Sequence, residues 1–116
     1  MSANKIVLNA GDILMREGDH SKSMYWIQKG ELIVTRKKGA EEVVLGYLSH
    51  GELVGELSFL DHEARSATVK ALVYSELVEI PQEAVQKVFE SQPKWLETLV
   101  MTLAERLRKT SARVRV

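Results

Sequence analysis

The chain has no cysteine. Disulfides, thiolate zinc sites, iron–sulfur clusters and a cysteine nucleophile are excluded together. Proline occurs only twice, and charge of either sign is not in excess, because sixteen basic and sixteen acidic residues cancel. Global charge therefore points to neither nucleic acid nor an anionic membrane as partner. No apolar run approaches the roughly 18 residues that cross a bilayer. Residues Met1 to Lys5 lack the apolar centre of a signal peptide, so the expected location is the cytoplasm. What is present suits one globular domain spanning 1–116, with 116 residues that are 45% apolar and no need of a metal or disulfide staple.

Glycine punctuates the first half of the chain, at Gly11, Gly18, Gly30, Gly39, Gly46, Gly51 and Gly55. Between these lie short β-rich runs: Ile6 to Leu8, Ile13 to Met15, Met24 to Ile27, Leu32 to Thr35, Val43 to Leu45, Thr68 to Val69 and Leu77 to Ile80. This cadence predicts an all-β barrel or sandwich over about 5–80, with a hairpin turn at Lys37 to Glu41. Gly55 to Leu60 breaks the strand pattern and reads as one helical turn, followed by a loop at Asp61 to Arg65 and a strand from Ser66 to Ala71.

After Ile80 the period becomes helical. Pro81 suits the first turn of a hinge helix over about 81–92, which should stop before Pro93. From Lys94 to Val116 neither glycine nor proline occurs. There Leu96, Val100, Leu103, Leu107, Thr110 and Val114 step by fours and threes, the seam of a two-stranded coiled coil, which predicts a homodimer through a long helix over about 94–116. A second ridge, Leu99 and Met101 with Trp95, is expected to face the barrel. The pattern runs to the last residue, and an attached output domain is expected beyond it.

Gly55 to Leu60, with Arg65 and Ser66, carries the chemistry. A glycine opening a short helical turn exposes unpaired N–H groups to an anion. Arg65 offers a forked, permanently charged donor for two phosphate oxygens, and Ser66 a neutral hydroxyl beside it. Glu56 among these cations can stay ionised and accept from a ribose 2′-OH. The plainer reading of Glu56 and Arg65 is a buried ion pair between strands. Leu57, Phe59 and Leu60 read by themselves as packing residues.

An enzyme is not expected. A metal-binding barrel needs histidines and a carboxylate converging on one ion, whereas His20, His50 and His62 fall in predicted loops or turns. No nucleophile elbow, Walker loop or dinucleotide fingerprint occurs. The basic run Arg106, Arg108, Lys109, Arg113 and Arg115 lacks interleaved aromatics and reads as a solvated helix face, so no nucleic-acid partner is expected of this domain. A haem sensor is disfavoured by the missing cysteine and the loop histidines.

The glycine cadence, Tyr25 to Gly30 before the hairpin, Gly-Glu-Leu at 55–57 and Arg-Ser-Ala at 65–67 together resemble the cyclic-nucleotide-binding domain family, and within it the bacterial catabolite activators. The resemblance runs from about Val7 to Val114. It implies an eight-stranded jelly-roll barrel of the double-stranded β-helix type, mainly β, with a short cassette helix and two C-terminal helices. It implies a ligand, cAMP or alternatively cGMP, and no further cofactor or metal. The phosphate-binding cassette would supply Gly55, Glu56, Leu57, Ser58, Arg65, Ser66 and Ala67. The long helix would close over the base with Thr110 on the adenine amino group, Ser111 reaching the partner subunit's nucleotide and Arg106 pairing with Glu56. Two departures stand out. Gly46 occupies a position where the catabolite activators have a serine near the adenine amino group, and the DNA-binding helix-turn-helix that follows their long helix is missing. Hydroxyls at Thr110 and Ser111 can serve adenine or guanine alike. The match favours cAMP, as does Ser66, where relatives that prefer cGMP often carry threonine beside the arginine. A ligand-free dimerisation module of the same fold is the remaining alternative.

Overall fold

A computed structural model describes residues 4–20 and 22–110. Eight strands come first, interrupted once by a short helix. They are β1 (Asn4–Leu8), β2 (Ile13–Met15), β3 (Ser23–Lys29), β4 (Glu31–Lys38), β5 (Glu41–Ser49) and β6 (Leu53–Val54), then α1 (Glu56–Asp61), β7 (Thr68–Ala71) and β8 (Ser75–Pro81). Two helices follow, α2 (Gln82–Glu90) and α3 (Lys94–Thr110). The strands form two four-stranded antiparallel sheets, ordered β1-β8-β3-β6 and β2-β7-β4-β5. This is the expected jelly roll, with one qualification: the sheets face each other without closing into a single hydrogen-bonded barrel.

The core lies between them. Ile27 and Leu77 from one sheet and Leu32, Val34 and Val69 from the other belong to one buried cluster. Leu32 and Val34 are two apart on β4, as a strand with one buried face requires. Each fully enclosed aliphatic side chain contributes about 1.5–3 kcal/mol relative to exposure. The β4–β5 hairpin turns on Gly39 and Ala40 alone, and Gly39 has the positive φ, 67°, that such a tight link demands.

Two boundaries and one helix orientation differ from the sequence reading. Pro81 ends β8 in extended geometry and caps α2 from outside, so its fixed φ serves the last residue of a strand. Strand β7 begins at Thr68, two residues late, because Arg65 pairs backbone to backbone with the loop between β2 and β3: its N–H donates to Asp19 O at 2.7 Å and its carbonyl accepts from Gly18 N at 2.8 Å.

The third difference concerns α3, which packs on α1 and α2. Its inward face carries Ala104, buried, with Glu97 and Met101 beside the groove towards α1. Trp95 and Leu99, expected to face the barrel, are 65% and 46% exposed. At 100° per residue they sit about 160–200° around the helix from Glu97, so both cannot share its face. Leu103 and Leu107 are likewise about half exposed, and Leu96 and Val100 are half-buried. The seam position Val114 lies outside the described residues. No helix among the described residues is long and apolar enough to cross a membrane.

Candidate functional site

The site begins with a backbone requirement. Gly55 caps α1 in the left-handed conformation, φ 84° and ψ 12°, with no side chain capping the helix. It is also hemmed in: a Cβ built there would lie 2.5 Å from Arg65 Nη1 and 3.1 Å from Cζ. Glycine is thus required both by torsion and by space.

Arg65 is 2% exposed. Its Nη1 donates to the Gly55 carbonyl at 2.9 Å and to Ser58 Oγ, and Nη2 donates to the Ser23 carbonyl at 2.7 Å. Nε, buried, has no acceptor. No carboxylate forms an ion pair with this guanidinium among the described residues. Burial pushes its pKa down, and the charges of Tyr25, Glu56 and Asp19 oppose that through space. A cation enclosed among neutral oxygens, with one donor unspent, is costly unless an anion joins it.

Glu56, half-buried, opens α1. Burial pushes its carboxyl above the ordinary 4.5, while its own backbone N–H and then Arg65 act the other way. The direct Glu56–Arg65 bridge of the plainer reading does not form, and neither does a pair with Arg106: Glu56 has no ion pair among the described residues. It is left as a through-space partner of Arg65, with an acceptor to offer.

The structure therefore brings Gly55, Glu56, Ser58 and Arg65 into one cluster. Ser58 is buried against Arg65. Ser66 is half-buried and Ala67 fully buried, both leading into β7. Leu57 lies within α1. Arg106 is exposed on α3, Thr110 closes that helix, and Ser111 lies outside the described residues. Gly46 sits opposite buried Val34 in the β4–β5 register, and an added Cβ there would meet nothing within 4 Å. Space is open where the related serine would stand.

Sequence reasoning missed three contributors. The Ser23 carbonyl and the Gly18–Asp19 backbone clamp are main-chain atoms without a side-chain signature. Arg36 Nε donates to the Ser66 carbonyl at 3.1 Å, and its only signal was membership of the basic run Arg36-Lys37-Lys38. The histidines His20, His50 and His62 are exposed, and no group of metal ligands forms among the described residues.

Residues 5–92 match the family model of the cyclic nucleotide-binding domain. The cAMP-activated global transcriptional regulator CRP of Salmonella typhimurium is 33% identical over 103 residues, 87% of this chain and 49% of that protein. Among solved structures, the catabolite activator protein of Thermus thermophilus superimposes with a TM-score of 0.77 at 30% identity, covering 92% of this chain and 51% of the other. The EAL enzyme Bd1971 in its cAMP-bound form gives 0.78 at 30% identity, over 91% of this chain and 29% of that one. Its cGMP-bound form gives 0.79 at 30% identity, over 91% and 28%. The chain spans about half the length of CRP. By the match over residues 5–92 the chain belongs to the cyclic nucleotide-binding domain family.

Proposed function

We propose that this chain is a sensor for cAMP: it binds the nucleotide at the cassette and relays occupancy through α3 to a partner subunit and an attached output domain. The observation that carries the reading is Arg65, enclosed, held by three neutral acceptors, without a carboxylate pair and with Nε unspent. A singly charged cyclic diester supplies the missing anion and can take two parallel bonds from the fork. Glu56 accepts from the ribose 2′-OH. The domain binds and signals without catalysing a reaction, in the cytoplasm, with neither nucleic acid nor membrane as its own partner.

The relay is a population shift. A groove of about 590 Å³, lined by Leu60, His62, Glu97, Met101 and Glu105, runs beside the contact of α1 with α3 and is the space into which the helix would shift. Ligand favours the arrangement in which Thr110 and Arg106 reach the base and ribose, with Ser111 crossing to the second subunit. A coupling of roughly 1–3 kcal/mol is enough to switch an output. The exposed apolar residues Leu99, Leu103 and Leu107 supply the dimer seam.

Titration calorimetry with cAMP, cGMP, linear AMP and 2′-deoxy-cAMP tests the proposal. Tight binding of cAMP, weaker binding of the deoxy compound and the least for AMP are expected. Tighter cGMP than cAMP would reassign the ligand, and equal heats for AMP and cAMP would remove the cassette assignment.

A further inference from the structure

The run Arg36-Lys37-Lys38 ends β4 and looks at first like a solvated charge cluster. The strand register separates its members. Lys37 lies opposite Glu42 and Lys38 opposite Glu41, so each has a carboxylate across the hairpin, whereas Arg36 lies opposite Val43. The β4–β5 pairing is irregular between Val34 and Thr35, both of which are buried, and Arg36 follows them directly. Its half-buried guanidinium reaches across to the loop that follows the cassette helix, where Nε donates to the Ser66 carbonyl at 3.1 Å.

That contact falls at a sensitive point. Ser66 directly follows Arg65, whose own N–H and carbonyl are fixed by Asp19 and Gly18. The two residues are thus held by two separate segments, Arg65 by the 18–19 backbone and Ser66 by a side chain from the β4–β5 hairpin. A cavity of about 340 Å³ lies beside Arg36 and is lined also by Lys37, Lys38, Val43 and Leu45.

We infer that Arg36 is a positioning residue of the nucleotide site: it holds the Ser66 peptide, and with it the hydroxyl beside Arg65, and it adds a second positive charge at the phosphate end. The inference rests on the cassette reading above. It makes the β4–β5 hairpin a structural member of the phosphate site, joined through one long side chain.

The test is cAMP titration at low and high salt with the 116-residue chain and its Arg36→Met, Arg36→Lys and Ser66→Ala variants, each melted without nucleotide to confirm folding. Loss of one charge-assisted contact predicts roughly tenfold weaker binding for Arg36→Met. Because screening acts on the lost charge, the salt dependence should flatten in Arg36→Met and return in Arg36→Lys. In a Ser66→Ala background Arg36→Met should cost less than it does alone, since the two act as a unit. Arg36→Met within twofold of the parent, or additive losses with unchanged salt dependence, would overturn the inference. If Arg36→Met fails to fold, Arg36→Lys takes its place in the cycle, with additivity again the overturning result. Arg65→Ala separates the two levels. Binding lost there but kept in Arg36→Met removes only the role of Arg36, while a parent chain that takes up no cyclic nucleotide removes the cassette reading as well.

Discussion

The Gly55 carbonyl and the Arg65 Nη1 are 2.9 Å apart, and the same nitrogen would lie 2.5 Å from any Cβ placed on Gly55. One residue thus provides an acceptor for the Arg65 cation and, by lacking a side chain, the room in which that cation sits.

Gly55→Ala is expected to fail on two counts. The left-handed torsion costs a residue with Cβ roughly 1–2 kcal/mol, and the methyl must displace the guanidinium. Urea unfolding should show that loss or more, and cAMP titration should show binding reduced at least tenfold beyond what the lower folded fraction explains. Wild-type affinity in this variant would mean that Arg65 does not need its present position to bind.

Arg65→Ala takes a donor from the Gly55 and Ser23 carbonyls and from the buried Ser58 hydroxyl, although the Gly55 carbonyl keeps the Phe59 N–H at 3.0 Å. Each buried polar group left unpaired costs about 1–3 kcal/mol, so the variant should melt lower. Arg65→Lys keeps a charge but cannot offer two parallel bonds. Both variants should bind cAMP at least about a hundredfold more weakly, from two charge-assisted bonds at roughly 1.5–3 kcal/mol each. Undiminished uptake by either would defeat the site.

Glu56 gives a pH signature whose sign follows from its raised pKa. The folded chain holds the proton more tightly than the unfolded chain does. That contribution to stability is fully present below the unfolded value near 4.5 and is lost as pH rises through the higher folded value. Denaturant titrations should therefore show stability falling with pH across this window, and Glu56→Gln should flatten the fall. Affinity for cAMP should rise over the same window, because the ionised carboxylate is the better acceptor for the 2′-OH. An identical stability profile in Glu56→Gln would place the slope on another group.

Leu103, about half exposed on α3, tests the seam. Leu103→Glu should leave monomer stability within about 0.5 kcal/mol, as exposed substitutions do, while shifting sedimentation from dimer to monomer. Unchanged sedimentation would move the subunit contact elsewhere.

Much of this molecule is legible in its residues, and the limits are physical. The β4–β5 hairpin was readable because Gly39 must adopt a positive φ between two alternating runs. The clustering of Gly55, Glu56 and Arg65 is legible because these are side-chain choices, or the deliberate lack of one. The partners of Arg65 were not readable: Ser23, Gly18 and Asp19 contribute backbone atoms, which every residue type possesses. The orientation of α3 was misread for Trp95 and Leu99 because its apolar residues circle much of the helix, and periodicity alone does not say which stripe meets the body. Arg36 escaped notice because a run of three basic residues looks uniform until the register pairs two of them with Glu41 and Glu42.

The bond from Arg65 to the Ser23 carbonyl joins positions 42 apart in the chain. Arg65 is therefore a crosslink that exists only after distant segments have met, and, on the proposed function, an unfolded chain has nothing equivalent to offer a nucleotide. Occupancy should consequently be visible as heat resistance. At a hundred times the dissociation constant, a ligand exclusive to the folded form adds about 2.7 kcal/mol, so a simple melting-temperature screen over phosphorylated metabolites can rank what this domain detects.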